Sequence, residues 1–132
     1  MLADTGPLYA GVDPSDIHHD RAQREIERLQ RSGLGVALTY PTMLECYSLV
    51  LYKLGIGTAH GWLREMLDLA SLLNPSPEDY QEASKVLLSY HDQPPSMFDA
   101  VAAVVSKRLG APVWTYDHHF DVMNIEVWRE QV

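Results

Sequence analysis

Short apolar runs alternate with longer stretches of helical spacing, and this alternation constrains the fold more than any other feature of the chain. Leu2-Ala3 is the stub of a first strand, and Val36-Ala37-Leu38-Thr39 reads as another after Gly33 and Gly35. Val113-Trp114-Thr115-Tyr116 is entered from Gly110-Ala111-Pro112, and Ile125-Glu126-Val127-Trp128 reads as a late strand. Ser71-Leu72-Leu73 is either one more strand or the end of a helix. Several of these runs are apolar on both sides, as in a sheet covered on both faces. Between them, Asp13-Pro14 offers an N-cap and first helical position for a helix to about Ser32, with Ala22, Ile26 and Leu29 facing inward. Further helices are expected from Pro41 to Leu54, Thr58 to Leu69, Ser76 to Tyr90 and Ser96 to Leu109, the last stopped by Gly110. Strands alternating with helices predict a three-layer α/β/α sandwich with a mainly parallel central sheet. The 132 residues fit one domain, 1–132, with no repeat or linker.

Composition narrows the function. No apolar run is long enough to span a bilayer, and the first residues lack a basic region followed by a long apolar one, so a cytoplasmic setting is expected. A single cysteine, Cys46, excludes an internal disulfide and a cysteine zinc cluster. It reads as a small buried packing residue. The net charge of −8 opposes broad electrostatic binding of nucleic acid. It is compatible with an enzyme whose carboxylates hold divalent cations that meet phosphates.

Ligands of parallel sheets collect beyond the carboxyl ends of the strands. Asp4 and Asp117 each follow a strand there, and Glu45 and Asp99 sit near the starts of very apolar helices, which begin at the same edge. Each acid taken alone is more often a helix cap: Ser96 to Asp99, Thr42 to Glu45 and Ser76 to Asp79 all have capping-box spacing, and Thr39 before Pro41 is a rival cap. Asp79 opens a helix with an exposed polar face, whereas the helix after Asp99 is apolar almost all round until Ser106, as a buried helix is. A buried carboxylate needs a cation or strong donors. No basic residue lies near Asp99 or Glu45 in sequence, so a divalent metal is the expected source of charge.

Asp4-Thr5-Gly6-Pro7-Leu8-Tyr9-Ala10 resembles the opening motif of PIN-domain nucleases. Glu45, Phe98-Asp99-Ala100 and Thr115-Tyr116-Asp117-His118-His119-Phe120 resemble that family's later motifs, in order, over nearly the whole chain. The nearest in style are the ribonuclease toxins of VapBC-type toxin–antitoxin pairs. The resemblance implies an endoribonuclease using Mg²⁺ or Mn²⁺, with Asp4, Glu45, Asp99 and Asp117 as catalytic metal ligands and Thr5 and Thr115 orienting them. It also implies an RNA substrate, a cognate antitoxin protein and a homodimer. The family often carries a further acid after the last aspartate. Here His118 and His119 occupy that region, and Asp121, at i+4 from Asp117, is the substitute ligand.

Other features carry weaker expectations. Arg21, Arg24, Arg28 and Arg31 form one stripe, either a solvated face paired with Glu25 and Glu27 or an RNA-backbone contact. His18-His19 and His118-His119 suggest zinc, but adjacent side chains diverge, so each pair should offer one ligand at most. Leu49, Tyr52, Leu54, Ile56, Trp62, Leu63, Met66 and Leu67 describe an apolar helical hairpin with a docking groove for a partner helix. Two rival functions remain: a phospho-acceptor receiver-like domain, which wants an acidic pair after the first strand where only Asp4 stands, and a non-catalytic binding module retaining the fold. Labelling by acetyl phosphate tests the first, and a metal-binding assay the second.

Overall fold

The computed structural model describes residues 1–129, so residues 130–132 of the expected domain lie outside the described residues. Four strands, β1 (Leu2–Ala3), β2 (Ala37–Thr39), β3 (Ser71–Leu73) and β4 (Val113–Trp114), form a parallel sheet in the order β3-β2-β1-β4. Seven helices connect or follow them: α1 (Thr5–Ala10), α2 (His19–Ser32), α3 (Tyr40–Leu54), α4 (Ile56–Leu69), α5 (Pro77–Leu88), α6 (Met97–Leu109) and α7 (His119–Val122). The expected three-layer sandwich is therefore present. Among the described residues, no helix is long and apolar enough to cross a membrane.

Strand alternation divides the interior into two cores. Ala3, Leu38 and Trp114 pack on one side with Leu8, Leu29, Val50 and Trp62, under α1 to α4. Leu2 and Val113 pack on the other with Ala83, Val101, Val105 and Phe120, under α5 to α7. The chain runs from β1 to β2 and β3 on one side, then returns to place β4 on the other side of β1. The gap between β1 and β4 is thus the point where strand order reverses, and a crevice at its carboxyl end is where this architecture takes ligands.

Local chemistry explains the boundaries. Thr39 caps α3 by accepting from the Thr42 amide at 3.3 Å, so the rival cap prevails and the Thr42–Glu45 box does not form. Ser76 and Ser96 both form full capping boxes, with Asp79 and Asp99. Gly110 ends α6 in the left-handed region at φ 63°, where a side chain would be strained.

Several expected elements differ. The Gly6-Pro7 pair does not make a turn. Both lie in α1, because proline in a first turn forfeits no intrahelical bond. Helix α2 starts at His19 rather than Asp13, since the Asp13 carboxylate accepts from the Tyr9 hydroxyl and from the Ser15 amide and hydroxyl, which holds a turn. The helix expected to reach Tyr90 ends at Leu88. Val113–Tyr116 pairs only through Trp114, and Ile125–Trp128 makes a single parallel bridge, Val127 with Val113, instead of a strand. Helix α6 is buried as its composition predicts. Helix α3 is not: Leu44 and Tyr52 are exposed, and only Thr42, Cys46 and Val50 are fully inside.

Candidate metal centre

Asp4 leaves the end of β1 with its amide donating to the Trp114 carbonyl, 2.9 Å away, so the backbone ladder of β1 and β4 aims the side chain into the crevice. The residue precedes α1 but does not cap it. Instead Oδ2 accepts from the Thr115 hydroxyl at 2.8 Å. The same Thr115 oxygen accepts from the Asp117 amide at 3.0 Å. One hydroxyl therefore ties the carboxylate after β1 to the turn after β4. Thr5, one residue on from Asp4, donates its hydroxyl to Oε1 of Glu45 on α3. Both threonines orient the carboxylates for which the resemblance singled them out.

Asp99 enters from the other layer, at the third position of α6. Its amide donates to Ser96 Oγ at 3.1 Å and its Oδ2 accepts from the Ser96 amide at 3.3 Å. The capping interpretation is thus correct for Asp99, and it does not remove the residue from the cluster. Burial pushes the Asp99 carboxyl up to about 6, helped by the negative charges of Asp4 and Asp117. Burial likewise lifts Asp4 to about 6, against the bonds from Thr115 and Thr5 and with the repulsion of Glu45 and Asp117. For Asp117, burial pushes upward but is outweighed by the amide, charge and imidazole of His119 and by a bond from Asp99, so its pKa falls below the ordinary carboxylate value. Burial and repulsion thus favour the protonated form of Asp99, while the His119 contacts favour the ionised form of Asp117. Asp4, at the end of β1, thus feels the charges of Glu45 on α3 and of Asp117 in the β4–α7 turn, and Asp99 on α6 feels those of Asp4 and Asp117.

Asp121 is placed elsewhere. It lies in α7, about half exposed, and both its oxygens accept from Nη2 of Arg129, at 3.0 and 2.8 Å. The histidines also depart from expectation. His118 sits in the turn before α7, and its ring lies 4.3 Å from that of His119, tilted by only 30°. The two Nδ1 atoms lie 3.7 and 2.7 Å from the same Asp117 Oδ1, so these neighbours converge rather than diverge. Asp117, His118 and His119 offer ligand atoms within 4.8 Å of one another.

The arginine stripe is divided by its surroundings. Glu25 is not a solvated partner: it is 1% exposed, accepting from the Tyr116 hydroxyl and from Trp114 Nε1 at 3.4 Å. Arg21 Nε lies 3.5 Å from Glu25, with its guanidinium 4.2 Å above the Tyr116 ring. Arg31 pairs with Glu27 on the exposed face, at 3.7 Å. Arg28 lines a shallow cleft with Pro112 and Trp128, at the edge of the sheet where β4 begins. Sequence reasoning missed Glu25 and Tyr116. The helical spacing of Ala22, Glu25, Ile26 and Leu29 places position 25 on the inner face, but its charge argued for solvent. The expected groove of the α3–α4 hairpin lies instead between α2 and α4, as a cleft of about 580 Å³ lined by Val12, Ile26, Trp62 and Met66 among others.

The carboxylates of Asp4 and Asp99 are the donor type that a hard divalent cation takes, while the three ligand atoms found close together are those of Asp117, His118 and His119. The partners of Asp4 and Asp99 among the described residues are hydroxyls, amides and other carboxylates, none with a full positive charge. Oxygen-only ligation is what Mg²⁺ and Mn²⁺ accept.

Residues 1–126 match the family model described as PIN domain. No curated protein matches the sequence. Among solved structures, the chain is similar to Mycobacterium tuberculosis VapC20, a toxin that cleaves the sarcin–ricin loop, with a TM-score of 0.84 at 19% identity over 98% of both chains. It is also similar to VapBC2 of Rickettsia felis bound to a DNA fragment from its promoter (TM-score 0.75, 13% identity, 96% of both chains). A toxin–antitoxin complex from Klebsiella pneumoniae gives 0.69 at 13% identity, over 99% of this chain and 98% of that one. At these identities the likeness is one of fold.

Proposed function

We propose that this chain, which belongs to the PIN-domain family, is a metal-dependent endoribonuclease and the toxin of a type II toxin–antitoxin pair, acting as one domain in the cytoplasm. The observation that carries the reading is the Thr115 bridge, which joins Asp4 to the Asp117 turn at the strand-order reversal, with the Asp99 carboxylate near both from the opposite layer. Asp4, Glu45, Asp99 and Asp117 would hold Mg²⁺ or Mn²⁺. Such an ion, when bound, supplies an acidified water and charge neutralisation for hydrolysis of a phosphodiester.

The chain's own residues prepare that centre. Thr115 fixes the Asp4 carboxylate and the Asp117 backbone together. Thr5 fixes Glu45, and His119 holds Asp117 by its amide and ring. Asp121, occupied by Arg129, is a peripheral member of this set at most. Arg21 is the stripe residue nearest the site, while Arg24, Arg28 and Arg31 follow along α2 toward the opposite edge of the sheet.

An antitoxin is proposed for the cleft between α2 and α4. That cleft is lined by apolar side chains from both helices, Ile26 and Leu29 from α2 and Trp62, Met66 and Leu69 from α4, which suits the apolar face of a partner helix. The Klebsiella and Rickettsia structures supply the kind of partner. A homodimer is proposed through the α3–α4 face, where Leu44, Tyr52, Ile56 and Leu67 are 57–86% exposed. The test of the catalytic reading is RNA cleavage by wild type and Asp99→Asn, with and without EDTA. Cleavage should require metal and vanish in the variant, and equal cleavage by both proteins would overturn it.

A further inference from the structure

The carboxylate centre lies in a chain of net charge −8, yet its proposed substrate is a polyanion. A strand of RNA approaching it needs a fixed positive group beside the cation site. Arg21 is built as one. Its Nε lies 3.5 Å from the buried Glu25 carboxylate, while the side chain remains 41% exposed. The guanidinium lies 4.2 Å over the Tyr116 ring, and the exposed His18 ring packs 4.9 Å from Tyr116, tilted by 51°. Carboxylate and aromatic together hold a long side chain in one orientation, which lowers the entropy lost when it binds. Tyr116 immediately precedes Asp117. Its ring also abuts the first turn of α1, just after Asp4, where a Cβ on Gly6 would stand 3.9 Å from Cδ2. The shelf therefore adjoins both strand-end aspartates.

We propose that Arg21 binds a phosphate of single-stranded RNA flanking the cleaved bond, and that Glu25 is the positioning residue that aims it. This deepens the ribonuclease reading and rests on it for the cleaved bond. The stripe of four arginines is then not one surface. At about 1.5 Å per residue, Arg28 and Arg31 lie about 10 and 15 Å farther along the helix, toward the opposite edge of the sheet.

The experiment is fluorescence anisotropy of a labelled twelve-nucleotide oligouridylate with the full chain in EDTA, between 20 and 150 mM KCl, with thermal melts alongside. Arg21→Ala should weaken binding about tenfold and reduce the salt slope by about 0.7, the increment for one single-strand phosphate. Glu25→Gln should weaken binding without changing the slope, and the double variant should bind no worse than Arg21→Ala alone. If Glu25→Gln does not fold, Tyr116→Leu, which removes the ring beneath Arg21, takes its place with the same expectation. A folded Arg21→Ala protein with unchanged affinity and slope would overturn the phosphate contact. A lowered melting temperature with full affinity in the Glu25 or Tyr116 variant would reduce Glu25 to a structural role and overturn the positioning. Because the assay needs no cleavage, its failure is separate from failure of the nuclease reading, which absence of EDTA-sensitive cleavage by wild type would signal.

Discussion

The hydroxyl of Thr115 donates to Oδ2 of Asp4 at 2.8 Å across 111 positions of the chain, and accepts the amide of Asp117 in the same place. Removing it leaves a buried carboxylate without its strongest donor. Thr115→Val should therefore weaken Mn²⁺ binding by about 10- to 100-fold, the usual penalty for losing a partner of a metal ligand. Thr115→Ser, which keeps the hydroxyl, should bind nearly as well as wild type. Isothermal titration with Mn²⁺ reads both, and equal binding by the valine and serine variants would refute the role.

The raised carboxyls predict an unusual response to acid. Asp4 and Asp99 sit near 6 when folded, above the ordinary value of 3.8. The folded chain thus holds protons that the unfolded chain has released, and stability falls as pH rises from about 4 through 6. In EDTA, the melting temperature should be higher at pH 5 than at pH 7.5. Asp4→Asn and Asp99→Asn should each flatten that slope and raise the melting temperature at pH 7.5. Below about pH 4 the trend reverses, because Asp79 and Asp117, held below their ordinary values, then lose their ionised partnerships. A profile that rises steadily from pH 5 to 7.5 would contradict the assignment.

A cation relieves the same repulsion. Mn²⁺ at a hundredfold excess over its dissociation constant should stabilise the fold by about 2.7 kcal/mol. The gain should shrink at pH 5, where protons compete for Asp4 and Asp99, and should be lost in Asp4→Asn. Differential scanning fluorimetry across a metal titration measures it. Equal gains at both pH values would place the ion away from these residues.

One ion pair serves as a control. Arg108 on α6 donates to both oxygens of Asp79 on α5, at 3.0 and 2.8 Å, and Asp79 also closes the α5 capping box. Arg108 is half exposed, which moderates its worth. Arg108→Ala should lower stability modestly, read as a reduced midpoint of urea unfolding. RNA cleavage at 25 °C should be unchanged, and a selective loss of cleavage would extend the functional site into this layer.

The layers were legible because short apolar runs alternate with stretches of helical spacing, and the acids because they stand where strands end or helices begin. What the residues alone concealed has physical causes. Asp13 and Pro14 look like a helix start, but Tyr9, four residues earlier, captures the Asp13 carboxylate, a contact between side chains that no local propensity contains. Glu25 looked solvated because charged groups almost always are, and its burial depends on a tyrosine hydroxyl that arrives from 91 positions away. His118 and His119 looked divergent by the geometry of regular elements, whereas at the start of α7 both rings lie against the same oxygen of Asp117. For Asp99, capping and clustering were set against each other as alternatives. The carboxylate does both, since one oxygen closes the helix end while the group as a whole faces Asp4 and Asp117.

The pairing of β1 with β4 also orders events in time. A ribosome delivers the first aspartate early and its tethering threonine last, so the cage stays unassembled until Val113–Asp117 has cleared the exit tunnel.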